Sequence, residues 1–199
     1  MKKGLVAIII LAVVIIAGIW LARANNGLVK LNENVNSQWA NVESSYQRRA
    51  DLIPNIVSSA KEYAKYEQET FVKVTEARSK ATSIQIDPSN ITPEQLKQFQ
   101  QAQSGLTSAL SRLLATFERY PDLKANQNFS ELINELSRTE NRINVERNRF
   151  NETAKELNTT VQQIPTNIAA AIFGFKERPY FEGNEGTENA PNVDDLFNN

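Results

Sequence analysis

The side chains able to do chemistry in this chain are carboxylates, guanidiniums, hydroxyls and amides, because it contains neither histidine nor cysteine. Glu62, Glu67, Glu69 and Glu76 lie close enough in sequence to offer oxygen ligands to a metal inside a helical bundle. Di-iron bundles of that kind also need Glu-x-x-His pairs, which cannot be assembled here. No metal and no cofactor is therefore expected. The same two absences remove the Ser-His-Asp triad, imidazole and thiolate ligands and the thiol nucleophile. No catalytic residue is assigned, and the chain is expected not to be an enzyme.

Two polar constellations remain. Arg48, Arg49 and Asp51 stand beside Pro54. They suit docking of a partner or a lipid headgroup near a helix kink; otherwise the two arginines pair with acidic residues of neighbouring helices or stay solvated. Asn141, Arg142, Arg147, Asn148, Arg149 and Asn151 form a second run, interleaved with Glu140, Glu146 and Glu152. Such a run can knit helices together through hydrogen bonds. With 22 basic and 23 acidic residues and few aromatics, it does not read as a nucleic-acid surface.

The elements that must position these groups begin with an uncharged apolar run, Gly4 to Ala22, between Lys2, Lys3 and Arg23. As a helix it reaches about 28 Å, close to the hydrocarbon thickness of a bilayer. A cleavable signal has a shorter apolar region, so the run predicts an uncleaved signal anchor despite Ala22-Arg23-Ala24. The bilayer is then the first partner. The positive-inside rule places the N-terminus in the cytoplasm and the rest of the chain outside.

Beyond the anchor the apolar residues recur at threes and fours, and no strand pattern of useful length is found. Val35, Trp39, Val42, Tyr46, Ala50, Ile53, Val57, Ala60, Ala64, Phe71 and Val74 predict one long amphipathic helix, kinked at Pro54 and jointed to the anchor at Asn25 to Gly27. Turn chemistry from Ile86 to Pro93 ends that unit. A second helix opens on Thr92 as N-cap, with Pro93 at its first position and Gln95 completing a capping box, and closes at Tyr120-Pro121. A third begins near Asn128 or Ser130 and carries Leu132, Leu136, Ile143, Phe150, Leu157 and Ile164. Thr139, Glu146, Thr153 and Thr160 share its stripe, as core-tolerated, solvent-facing or seam-forming residues. After Pro165, the segment Thr166 to Phe175 caps the bundle or dips into the bilayer surface. The fold class is all-α: an N-terminal transmembrane helix followed by an up-and-down antiparallel helical bundle with long helices. The domains are 1–24 as anchor, 25–182 as bundle and 183–199 as an acidic tail expected to be disordered.

Four stretches carry a family likeness: YQRRADLIPNIV from Tyr46 to Val57, KEYAKYEQETFVKVTEAR from Lys61 to Arg78, TENRI from Thr139 to Ile143, and FGFKERPYFE from Phe173 to Glu182. In these the chain resembles the bacterial LemA family, from the anchor through Glu182, leaving out the Ile84 to Thr92 loop and the tail. It departs from the family at Pro165 to Asn167, where related chains more often place an aromatic before Pro-Asn. The resemblance implies a single N-terminal transmembrane helix in the bacterial inner membrane and a mostly helical up-and-down bundle; it does not imply an enzyme, and some members look connected with membrane remodelling or invagination.

Helix length sharpens the expected role. A first helix from Leu28 to about Ala81 would be roughly 80 Å long, against about 40 Å and 54 Å for the second and third. Its foot, with the stripe Leu31, Val35, Trp39, Val42 and Tyr46, is then expected to lack an intrachain cover and to recruit one. Self-association into a homo-oligomeric, coiled-coil-like scaffold is the first expectation. A membrane-protein partner is the second, with this chain as an adaptor presenting a client or regulator to a protease or transporter. Should the first helix bend back at Pro54 and pack antiparallel on itself, the stripe is buried and the expectation fails.

Overall fold

The computed structural model describes residues 2–61 and 63–183. The expected disordered tail falls, but for Gly183, outside the described residues, as does Glu62. All regular structure among the described residues is helical.

Helix α1 spans Lys2–Lys61 without interruption, through both Asn25 to Gly27 and Pro54. At about 1.5 Å per residue it is a rod of roughly 90 Å. Its first part, Leu5 to Ile19, is exposed along its whole circumference, while from Leu28 onward one stripe is buried. The apolar run and the first helix of the bundle are thus one element. The end of α1 nearest the run is called proximal below, and Lys61 distal.

The chain turns back after Lys61. Helix α2, Gln68–Thr82, runs antiparallel to α1, as shown by Arg78 on α2 reaching the carbonyl of Ala50. The expectation of one helix to about Ala81 is overturned. The turn contains neither glycine nor proline, so composition does not mark it. Its stabilisers are Tyr63 N–H and Glu67 N–H, bonded to the carbonyls of Ala60 and Ala64, and distant side chains. Arg119 and Tyr120 donate to the Glu67 carboxylate, and Asn126 donates to the Tyr63 hydroxyl.

A one-turn 3-10 helix, Pro88–Asn90, is capped by Asp87, whose carboxylate accepts from Ser89 N–H. Helix α3, Pro93–Phe117, then climbs distally. It starts on the expected capping box: Thr92 Oγ1 accepts from Gln95 N–H at 3.2 Å and Gln95 Oε1 from Thr92 N–H at 3.0 Å. After short α4, Pro121–Ala125, helix α5, Gln127–Gln162, descends the full bundle against α1, with Asn126 as N-cap. Helix α6, Thr166–Phe173, packs on the proximal part of α1 and on α5. The left-handed backbone at Gly174, φ 78°, ends it and turns the chain back along α5. The result is an antiparallel bundle of α1, α2, α3 and α5.

Apolar residues fill two clusters. The distal one joins Ile53, Ile56, Phe71, Leu106, Leu113, Phe117, Phe129 and Leu136. The proximal one joins Leu28, Val35, Trp39, Val42, Tyr46, Phe99, Phe150, Leu157 and Phe181. The stripe expected to stand uncovered is therefore this chain's own core. Val35, Trp39, Val42 and Tyr46 are buried, and Leu31 is half-buried against them. The Trp39 ring lies within 6 Å of the rings of Phe99, Phe150 and Phe181. Its cover comes from α3, from α5, and from an extended segment that helix-length bookkeeping ignores.

Candidate functional site

Between the two clusters sits a polar layer built on Arg49, which is 1% exposed. Its Nη1 donates to Thr107 Oγ1 at 2.9 Å and to Glu140 Oε1 at 2.8 Å, and its Nη2 to Gln103 Oε1 at 2.5 Å. Gln103 in turn donates to the carbonyl of Ala81 at 3.2 Å. One guanidinium thereby connects α1 with α3 and α5 directly and with α2 through Gln103. The Tyr46 ring closes the layer below, with its centre 5.1 Å from the guanidinium carbon. Buried Ser45 and Thr139 line the same level, each bonding back to a carbonyl of its own helix. These bonds make the layer a clamp between helices, in which Arg49 Nε is left as a buried donor without a partner.

The Arg48-Arg49-Asp51 cluster is dispersed rather than brought together. Arg48 points outward to α5, where its guanidinium pairs with Glu135. Arg138 binds the other oxygen of that carboxylate at 2.9 Å. The Arg138 and Arg48 hydrogen bonds hold Glu135 below the usual carboxylate range. Asp51 accepts from Gln47, one turn back, at 2.8 Å. Both arginines thus pair with acidic residues of a neighbouring helix, the second of the two readings made from sequence.

The polar run of α5 divides in the same way. Glu146 is buried and takes a 2.7 Å hydrogen bond from Gln38 of α1, with Arg149 at 3.1 Å. With Thr139 it forms a polar seam. Of the expected carboxylate group, Glu67 is held by Arg119 and Tyr120 and Glu69 by Lys73. Among the described residues no three metal-ligating side chains converge. An open groove of about 500 Å³ near the distal turn is lined by Val57, Lys61, Lys65, Phe71, Val72 and Glu76, a mixed lining without a paired acid and base.

The constellation that sequence reasoning missed is a C-terminal strap, residues 175–182. Asn158 of α5 accepts from Arg178 N–H at 2.7 Å and donates to Arg178 O at 2.8 Å. Asn151 treats Phe181 in the same manner, at 2.8 and 2.9 Å. The spacings match: seven helical residues rise about 10 Å, as do three extended ones. Two side-chain amides thus imitate a strand partner for the strap. Arg147 adds a 2.7 Å bond to Glu182 O and lies over the Phe181 ring. Arg178 is buried, with a 2.8 Å hydrogen bond to Asn32 of α1, and burial lowers its pKa against the opposing pull of Asp87. The available signal was the two-turn spacing of Asn151 and Asn158 opposite the aromatic-rich segment FGFKERPYFE.

A helical bundle whose first helix continues into an exposed, membrane-length apolar run is the architecture of a membrane protein. The chain belongs to the LemA family, whose sequence pattern it matches over residues 38–194. It is similar to Protein LemA of Metamycoplasma hominis, 30% identical over 134 residues covering 67% of this chain and 57% of the relative. It is also similar to Magnetosome protein MamQ 2 of Paramagnetospirillum magneticum, 28% identical over 196 residues covering 90% of this chain and 72% of the relative. Magnetosome protein MamQ of Magnetospirillum gryphiswaldense is 27% identical over 173 residues, covering 78% and 64%. The chain thus spans little more than half the length of the mycoplasmal relative.

Proposed function

We propose that this protein is a non-enzymatic, single-pass scaffold of the bacterial inner membrane, with its N-terminus cytoplasmic, its bundle outside, and copies associating laterally. The observation that carries the reading is the continuity of α1: one helix, Lys2–Lys61, is both apolar run and bundle backbone. No hinge separates anchor from bundle, so each copy is a stiff post whose orientation the bilayer fixes, which suits an ordered array better than a mobile tether. Confinement of all copies to one plane removes much of the entropic cost of meeting. The polar groups fit a structural role, since Arg49, Gln103, Thr107 and Glu140 bind one another. Similarity to chains named as magnetosome proteins supports a part in building a cellular structure.

Association cannot use Val35, Trp39, Val42 and Tyr46, which the fold consumes, and is left with the outer faces of the bundle and the exposed apolar run. The test is imaging and crosslinking of the full-length protein reconstituted in lipid vesicles. Regular multi-copy assemblies are the expected result, and particles that stay monomeric at high surface density overturn the scaffold reading.

A further inference from the structure

We propose that α6 is a second membrane contact, an interfacial foot whose ridge of Ile164, Ile168 and Ile172, with Phe173 beside it, lies in the headgroup boundary where α1 leaves the bilayer. The helix has two faces of different size. Ala169 and Ala170 are buried in the proximal cluster, and their small side chains let α6 sit close against the bundle. Ile168 and Ile172, one turn apart, are 54% and 60% exposed, and Ile164 in the preceding connection is 84% exposed. Three isoleucines turned outward from a bundle that buries its other stripes need an apolar environment.

Placement identifies that environment as lipid. Helices α1 and α5 are antiparallel, with Gln38 opposite Glu146 and Arg49 opposite Glu140. Continuing this register to Gln162, the last residue of α5, brings it opposite Ala22 to Gly27. The α5–α6 connection therefore lies level with the end of the apolar run. Trp20, Leu21 and Ala24 of α1 are partly buried against the cluster that holds Ala169 and Ala170. The exposed ridge thus lies at the level where the exposed surface of Leu5 to Ile19 ends, and a single lipid environment would cover both. Trp20 has the interfacial character of membrane-belt aromatics, and exposed Arg23, Lys30 and Lys176 supply cations for anionic headgroups. Two attachments, a span and a foot packed on it, would fix the tilt of the bundle as a lone helix does not.

The inference rests on α1 spanning the bilayer and is independent of self-association. Because the chain has no cysteine, single probe sites can be introduced cleanly. Ile168→Cys, Ile172→Cys, Val72→Cys and Ile10→Cys would each carry a polarity-sensitive fluorophore on the full-length protein, in phosphatidylethanolamine–phosphatidylglycerol vesicles with quenchers at shallow or deep acyl positions. The expected result is blue-shifted emission at residues 168 and 172 with loss of most intensity to the shallow quencher, loss at residue 10 to the deep quencher, and no loss at residue 72. Probes at 168 and 172 that behave like that at 72, while residue 10 is quenched, overturn the foot and leave the anchor standing. Shielding of 168 and 172 from aqueous iodide without lipid quenching means that protein covers the ridge, and also overturns the foot. An unquenched residue 10 overturns the anchor, and the foot with it.

Discussion

Arg78 Nε donates a 2.7 Å hydrogen bond to the carbonyl of Ala50, the carbonyl that Pro54 leaves without its helical donor. In an α-helix the N–H of residue 54 would serve that oxygen, and proline has none. Ala50 is buried, so water is a poor substitute. The guanidinium comes from α2, the helix that folds back on α1. The proline therefore exposes an acceptor by which α2 is held in place, and α1 continues past it to Lys61.

Replacing Arg78 by methionine should cost about 1–3 kcal/mol, the range for stranding a buried acceptor that had a charged donor. In a Pro54→Ala background the helix supplies its own N–H, and the same replacement should cost clearly less. Denaturant unfolding of the wild type, the two single variants and the double variant in mild detergent measures the coupling. Equal costs in both backgrounds would show that the Ala50 carbonyl is not what Arg78 serves.

The strap should open before the bundle does. Asn151→Ala and Asn158→Ala each remove a donor and an acceptor from the strap backbone, for about 1–3 kcal/mol apiece. Phe181→Ala should cost about 3–5 kcal/mol, because the ring packs against Trp39 and Phe150. Hydrogen exchange separates the two effects: the asparagine variants should lose protection first at the amides of Arg178 and Phe181, while α3 keeps its own. Uniform loss across the bundle would count against the strap as a locally closing element.

How much of this was legible follows the range of the interactions. The helices announced themselves by period, and the start of α3 by Thr92, Pro93 and Gln95, because a capping box is a local device. The turn after Lys61 was hidden because its stabilisers, Arg119, Tyr120 and Asn126, lie more than fifty residues away. Taking α1 and α2 as one rod led to an uncovered Trp39. Folding α2 back brings α3 and α5 alongside, and the strap brings Phe181. The split of Arg48 from Arg49 was open in advance in kind, since adjacent helical residues point about 100° apart, but the inward one could be named only from the bundle's geometry.

Arg49 and its partner Glu140 should respond unequally. Arg49→Met strands Gln103, Thr107 and Glu140 around an apolar stem and should cost about 1–3 kcal/mol for each buried group left unsatisfied. Arg49→Lys should recover little, since an ammonium cannot reproduce the planar fork. Glu140 is a third exposed, and Glu140→Gln keeps an amide oxygen for Arg49 Nη1 to donate to, so it should cost less than Arg49→Met. Thermal unfolding of the three variants tests the order, and a Glu140→Gln loss matching that of Arg49→Met would relocate the weight of the layer to the ion pair.

Tyr46 gives the layer a dependence on alkaline pH. Burial raises its phenol above the ordinary value of 10.0; Arg147 and Arg49 oppose this, and Glu140 adds to it. The folded chain then holds its proton at a pH where the unfolded chain has released it. By linkage the contribution is complete below pH 10.0 and falls as pH rises from there through the folded-state pKa. Tyr46→Phe removes the titration while keeping the ring, which packs edge-on against Phe99 at 5.0 Å. Tyr120 is also raised, chiefly by its hydrogen bond to Glu67, and persists in both proteins, so the informative quantity is the difference between them. That difference should be flat from neutral pH to about 10 and then grow in favour of the phenylalanine variant. Denaturant midpoints measured in steps across this range provide the curve. A difference that stays flat throughout would mean that the Tyr46 phenol ionises in the folded chain as readily as in water.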